Sequence, residues 1–348
     1  MTTGETNMSE QNKFCNGFLH LAKLPVNNPE TISSFENHQR YGVALIEHDY
    51  PGKTPAMWNA AYTHFGMDCA VAMMVGDPQK AQDILDILKK DSKYFGGGSG
   101  VGFKDENVKY VDELDPLANA IGSINLIQKL PTGKLKGWNT DGIGYRQSLE
   151  KLLVEKGIAL NGAKIVMLGA GGTGSAIALA LAEKGARIAI LNRTIEKAAE
   201  LADRINDFVG ERRAWAKGED AINEEIGDAS VVINVSTKGA TGAFEEYSAL
   251  AKAVLPATPE NVRENLEVAK GIFEVIPKSA ILSDVVLRTS PSPFLKEAQA
   301  RGYTTLDGVP MVVNQGVEAF IIIHGNELGA YLDLRSEVYE IMHKAANF

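Results

Sequence analysis

Two cysteines in 348 residues, Cys15 and Cys69, are too few to staple a fold. That excludes a disulfide framework and fits a reducing compartment. Long apolar runs are missing as well. Crossing a bilayer takes roughly 18 consecutive apolar residues, and the densest stretches here are short, such as Phe320–Ile323. Positive charge is in deficit: 35 Lys and Arg stand against 44 Asp and Glu, a net charge of −9. A nucleic-acid or anionic-membrane partner needs clustered cations, so neither is expected, although a local basic spot can still hold a small anion. The amino-terminal segment has no basic start followed by an apolar core, so no secretory signal is expected. None of the six histidines shows a metal-ligand spacing, and no metal is expected. A soluble, cytoplasmic protein is expected. The 45% hydrophobic content excludes a disordered chain, and 34 glycines without a three-residue period exclude collagen.

The length predicts about two domains. Residues 1–38 are polar and weakly patterned and read as an N-terminal extension. Strands are expected at Tyr41–Ile46 and Asp68–Val75, with a helix from Pro55 to Phe65 capped by Thr54 and a second helix over Gln79–Lys90, where apolar residues recur at helical spacing. A glycine-rich approach over Phe95–Phe103 leads to Lys104. Beyond about residue 145 the pattern alternates: strand Lys164–Leu168, helix Thr173–Lys184, strand Arg187–Leu191, helix Ile195–Val209, then strands at Ser230–Val235 and Ala280–Val286. Such alternation implies right-handed crossovers and a parallel sheet covered on both faces. Two apolar helices close the chain. The expected fold class is α/β in two domains. A substrate-binding catalytic domain takes residues 39–145 and 313–348, with the C-terminal helices packing back on it. A Rossmann-type nucleotide domain takes residues 146–312.

The strand Lys164–Leu168 runs into Gly169, Gly171, Gly172, Thr173 and Gly174, followed by an apolar helix. G-x-G-x-x-G alone is a weak signal, but here both required flanks are present. Gly169 permits a tight turn, Gly171 lets the backbone approach a pyrophosphate, and Gly174 lets the helix pack closely. The phosphates then lie on the helix start, where the macrodipole favours negative charge. The end of the next strand selects the nucleotide. An NAD site places a carboxylate there to hold the ribose 2′-hydroxyl; this chain has Asn192, Arg193 and Thr194, with Lys197 one turn later. Arg193 suits a 2′-phosphate that a carboxylate would repel, so the cofactor is read as NADP rather than NAD.

Lys104 and Asp141 are candidates for moving a hydroxyl proton while hydride leaves the neighbouring carbon. Most lysines and aspartates are merely solvated, and what singles these two out is their surroundings. From about residue 40 to 345 the chain resembles the shikimate/quinate dehydrogenase family. The family's S-x-S-P-x-x-H-N segment reads Gly52-Lys53-Thr54-Pro55-Ala56-Met57-Trp58-Asn59 here, and its N-V-T-x-P-F-K stretch reads Gly98-Ser99-Gly100-Val101-Gly102-Phe103-Lys104. G-A-x-N-T appears as Gly122-Ser123-Ile124-Asn125-Leu126, and N-T-D-G is intact at Asn139–Gly142. The nucleotide loop and N-R-T follow unchanged. I-N-A-T-x-x-G is close to Ile233–Gly239, and G-x-x-M-L-x-x-Q to Gly308–Gln315. The resemblance implies an NADP-dependent dehydrogenase in which Lys104 and Asp141 form the catalytic pair. It implies that Asn125 and Gln315 bond ring hydroxyls, that Gly308 and Met311 border the nicotinamide, and that Val235 and Ser236 line the adenosine side. The implied substrate is a small cyclic polyol or hydroxy acid held in an interdomain cleft.

The departures gather at one end. The two serines that hold the substrate carboxylate in the family fall on Gly52 and Thr54, and a tyrosine serving the same end falls on Leu287. Each lost bond to a charged group costs about 1.5–3 kcal/mol. Lys53 is a candidate replacement, and Trp58, in place of the family's histidine, either shapes the pocket or packs. Met73, Met74, Phe320 and Phe348 read as core, and Cys69 as an unreactive buried thiol beside no cation. The reaction end is kept and the recognition end rebuilt. The reading is an oxidoreductase of a shikimate-like cyclic polyol; the alternative is an NADP-binding sensor that has lost turnover.

Overall fold

A computed structural model describes residues 23–35, 37–50, 52–288, 290–328 and 334–348; Cys15 lies outside them. The described residues divide into two compact units. One takes those of Met1–Asp115, Gly122–Trp138 and Phe320–Ala346, and the other Pro116–Ile121, Asn139–Ala319 and Asn347–Phe348.

The first unit opens with β1 (Arg40–Ile46), α1 (Thr54–Phe65), β2 (Cys69–Val75), α2 (Ala81–Lys90), β3 (Tyr94–Gly98) and β4 (Glu113–Leu114). After α3 (Pro116–Ile121), which belongs to the second unit, come β5 (Leu126–Lys129) and β6 (Leu135–Trp138). The sheet order is β2-β1-β3-β5-β6-β4, with β5 antiparallel to both its neighbours. The first three glycines of the run expected as an approach to Lys104 lie in β3, inside the sheet. The reason is proximity: a Cβ on Gly96 would fall 2.2 Å from Ile127 O, and one on Gly97 the same distance from Val43 O. Both glycines also hold positive φ, 133° and 147°, a region costly for any other residue.

Residues of the expected extension pack against the edge strand β2. The Asn28 side chain bonds Met73 O at 3.0 Å and Val75 N at 2.8 Å, and Phe35 is fully buried against Tyr41. Thr54 lies inside the first turn of α1, while Lys53 takes the cap position without a side-chain cap bond. Trp58 packs: it is buried edge-on against Tyr62, Phe320 and His324. His324 is itself fully buried, with its Nε2 2.9 Å from the Tyr62 hydroxyl, and burial pushes its imidazole down to about 4. Phe348, expected in the core, is half exposed. Cys69 does have a cation near it, since Arg40 is its partner in the β1–β2 register. Burial outweighs that charge and pushes the thiol up to about 11, so the thiolate is scarce at neutral pH.

The second unit continues with α4 (Asp141–Glu155), β7 (Lys164–Leu168), α5 (Gly172–Ala182), β8 (Arg187–Asn192), α6 (Ile195–Val209), β9 (Ala214–Gly218) and α7 (Ile222–Glu225). Then follow β10 (Val231–Asn234), α8 (Pro259–Phe273), β11 (Ile281–Asp284), α9 (Pro293–Ala300), β12 (Thr304–Leu306) and α10 (Val309–His324); α11 (Leu334–Ala346) lies in the first unit. Its six strands are all parallel in the order β12-β11-β10-β7-β8-β9. The order reverses between β7 and β10, the switch point where open α/β sheets bind ligands. Alternation along β7 serves both faces, with Ile165 and Met167 in one core and Val166 and Leu168 in the other. The boundary expected at residue 145 would cut through α4, which falls wholly in this unit with most of α10. Gly142 explains it: a Cβ there would lie 2.0 Å from Ala176 O, so α4 and α5 cross almost backbone to backbone. No described helix is long and apolar enough to cross a membrane.

Candidate active site

In the second unit the glycine loop follows β7 directly. Gly169 has φ +119°, and its N–H bonds Leu191 O at 2.8 Å. Gly171 and Gly172 would put a Cβ into open space, so the outer side of the loop is free to receive a bulky group. Gly174 sits under Val235, whose Cγ2 would lie 2.8 Å from a Cβ there. The Ser175 N–H returns to Gly171 O at 2.8 Å, closing the first turn of α5. The N–H groups of Gly172, Thr173 and Gly174 are then the orphan donors that every helix start presents. An anionic dinucleotide fits this cradle.

Beside the loop lies a cavity of about 320 Å³ at the carboxyl ends of β7, β8 and β10. Its lining includes Gly169, Gly171, Asn192, Arg193, Thr194, Lys197, Val235 and Ser236. The structure thus gathers most of the expected cofactor residues around one cavity. Asn192 Nδ2 bonds Thr194 O at 2.8 Å and shapes the turn that carries Arg193. The far wall rests on a network that sequence reading missed. Ser236 Oγ donates to Asn234 Oδ1 at 2.7 Å, and Asn234 Nδ2 donates to Asp284 Oδ1 at 3.0 Å. Asp284 also accepts from Ser292 Oγ and from Val286 N, at 2.5 and 2.9 Å. Burial of Asp284 pushes its carboxyl up despite these bonds. Gly308 packs where a Cβ would lie 2.7 Å from Val285 O, and Met311 is buried in the core that holds Ala176 and Ile177.

Asp141 and Gln315 come together in the same unit. Asp141 starts α4, its N–H bonded to Asn139 Oδ1 at 3.2 Å. The buried Thr140 hydroxyl donates to Gln315 O at 3.0 Å, and a Cβ on Gly144 would lie 2.5 Å from Gln315 N. Gln315 Nε2 donates to Val312 O at 3.0 Å.

Lys104 and Asn125 belong to the first unit, and there the backbone binds them side by side. Lys104 N donates to Gly100 O at 3.1 Å, and Lys104 O accepts from Ile124 N at 2.9 Å. Asn125 O accepts from Ser99 N and Asn125 N donates to Trp138 O, both at 2.9 Å. Underneath, the buried Asn107 side chain donates to Ser99 Oγ at 3.0 Å. Lys53 and Thr54 lie at the start of α1. Beside them, a Cβ on Gly52 would fall 2.5 Å from Met73 Sδ and 2.6 Å from its Cε, so a thioether fills the space that a side chain would take.

Comparison with known proteins bears on both units. The family model described as shikimate/quinate 5-dehydrogenase matches residues 151–253, and that of the shikimate dehydrogenase substrate-binding domain matches residues 50–127. A shikimate dehydrogenase (NADP(+)) of Methanosarcina barkeri is 34% identical over 276 residues, 79% of this chain and 89% of that protein. The chain belongs to the shikimate/quinate dehydrogenase family. Another family enzyme of the same name, from Methanosarcina acetivorans, is 33% identical over 282 residues, 80% of this chain and 90% of its own. Among solved structures, a shikimate dehydrogenase in complex with NADP+ superposes with a TM-score of 0.68 at 27% identity, covering 88% of this chain and 94% of that one. A 5-ketofructose reductase of a Gluconobacter strain gives 0.67 at 26%, covering 89% and 98%.

Proposed function

We propose that this chain is an NADP-dependent oxidoreductase that interconverts a ring alcohol and its ketone on a shikimate-like cyclic polyol. The observation that carries the reading is the cavity at the end of β8, where the glycine cradle meets Arg193 and Lys197. The names of the relatives, shikimate dehydrogenases (NADP(+)), support it and weigh against a sensor without turnover. The phosphates would rest on the start of α5, and Arg193 with Lys197 would hold a 2′-phosphate. When bound, the dinucleotide supplies the hydride acceptor or donor.

The rest falls to side chains of this chain. Lys104 takes the hydroxyl proton during oxidation and returns it during reduction, and Asp141 keeps lysine and hydroxyl in line. To act as the base Lys104 must be neutral when it takes the proton. Asn125 and Gln315 bond the ring hydroxyls, and Thr54 and Lys53 serve the far end of the substrate. A rebuilt far end is supported by Met73, whose thioether lies where a Cβ at position 52 would fall. Two missing donors to a carboxylate weaken shikimate binding by about 100-fold or more unless Lys53 replaces them.

Steady-state kinetics with shikimate, quinate and uncharged cyclitols, each with NADP+ and NAD+, test the proposal. The expected result is turnover of a ring alcohol with NADP+ preferred and a high KM for shikimate. Preference for NAD+, or no turnover of any ring alcohol, would refute the reading. Shikimate turned over at a low KM would refute the rebuilt recognition end alone.

A further inference from the structure

The cavity that receives Arg193 also contains a carboxylate, and a second residue deals with it. Strands β8 and β9 end in register, Asn192 opposite Gly218, so Arg193 and Glu219 leave the sheet as neighbours at its carboxyl edge. Both line the cavity, with Lys197 and Lys238. Glu219 is the one carboxylate among the described lining residues. In an open arrangement it would pair with the adjacent guanidinium and repel a phosphate. Instead its Oε2 accepts from Lys238 Nζ at 3.0 Å, and the same ammonium donates to Ala251 O at 2.7 Å. The two side chains are only 22% and 15% exposed, whereas Arg193 and Lys197 are exposed. A pair so placed is less screened than a surface pair. Lys238 is also fixed from below: its carbonyl accepts from Asn234 Nδ2 at 2.9 Å and its N–H donates to Ser236 Oγ at 3.2 Å.

We propose that Lys238 is a specificity-determining residue for the phosphorylated dinucleotide: by pairing with Glu219 it neutralises the cavity's carboxylate and leaves Arg193 and Lys197 to the phosphate monoester on the ribose. The inference rests on the NADP reading above. It treats Lys238 as a positioning residue that acts through Glu219 and Arg193, with no bond of its own to the cofactor. Removing Lys238 frees Glu219 to take Arg193, so the loss falls on the ligand that carries the extra phosphate.

Dissociation constants for NADPH and NADH, measured by fluorescence titration of the full chain, provide the test. Lys238→Met is expected to weaken NADPH by about tenfold or more while NADH changes by about twofold at most. Glu219→Gln, which keeps Lys238 on Ala251, retains the NADPH preference. The double variant Glu219→Gln/Lys238→Met recovers NADPH binding to within about threefold of the parent, and Lys238→Arg retains it. Equal weakening of both dinucleotides in Lys238→Met, or a double variant as weak for NADPH as Lys238→Met, overturns the proposal while the NADP reading stands. Should Lys238→Met fail to fold, the double variant alone decides: a lost NADPH preference there overturns the proposal. A parent protein that binds NADH as tightly as NADPH overturns the NADP reading, and this inference with it.

Discussion

Lys104→Met lowers kcat for ring-alcohol oxidation by about 10²- to 10⁴-fold, the range that general acid–base catalysis contributes, and leaves the NADPH dissociation constant within about twofold. The substitution removes the ammonium and keeps a chain of similar length, so the loss reports proton transfer rather than packing. The loop survives it, because Lys104 is held through its backbone, to Gly100 O and from Ile124 N. Stopped-flow or steady-state rates beside a direct cofactor titration separate the two quantities. A drop in NADPH affinity equal to the drop in rate would make Lys104 a cofactor residue instead. An unchanged rate would remove it from the chemistry.

Gly96→Ala is the most damaging single change expected for the fold, costing roughly 2–6 kcal/mol of stability from steric overlap and backbone strain together. A Cβ there meets the Ile127 carbonyl at 2.2 Å, and backbone in the middle of a sheet cannot move aside as the tip of a side chain can. The residue also holds φ +133°. The consequence reaches the site, since β3 leads through Ser99 and Gly100 into the Lys104 loop. The control is Gly271→Ala within α8, where a Cβ meets nothing within 4 Å and helix propensity favours alanine by about 0.8–1.0 kcal/mol. Thermal or urea unfolding of the two variants should show opposite signs. A Gly96→Ala protein as stable as the parent would show that β3 is not packed against β5 as described.

Much of the nucleotide unit was legible because its signals are local. The strand Lys164–Leu168, the glycines after it and the apolar helix after those each lie within a few residues of the next, so period and turn chemistry suffice to place them. The same reasoning missed β9: Ala214–Gly218 is a half-exposed edge strand with a lysine and a glycine in five residues. It also missed α8, whose fifteen residues bury only Asn265, Ala269, Ile272 and Phe273. It read Gly96–Gly98 as part of a glycine-rich approach and not as a strand, since glycine is scarce in strands, whereas the crowding that demands glycine there comes from strands roughly 30 to 55 residues away. Distance in sequence likewise hid the bond between Asn234 and Asp284 and the pair of Glu219 with Lys238. The candidate catalytic words were readable only through family likeness, since no composition or spacing marks Lys104 or Asp141 by itself.

In the proposed reaction hydride passes between the dinucleotide and a ring carbon of the substrate. Reduction of a ring ketone of the 3-dehydroshikimate type with NADPH carrying deuterium at both C4 positions of the nicotinamide, followed by NMR of the product, tests it most directly. One deuterium on the new carbinol carbon and none elsewhere on the ring is the expected result. Product without deuterium, or no product while the labelled cofactor stays bound and unoxidised, would contradict it.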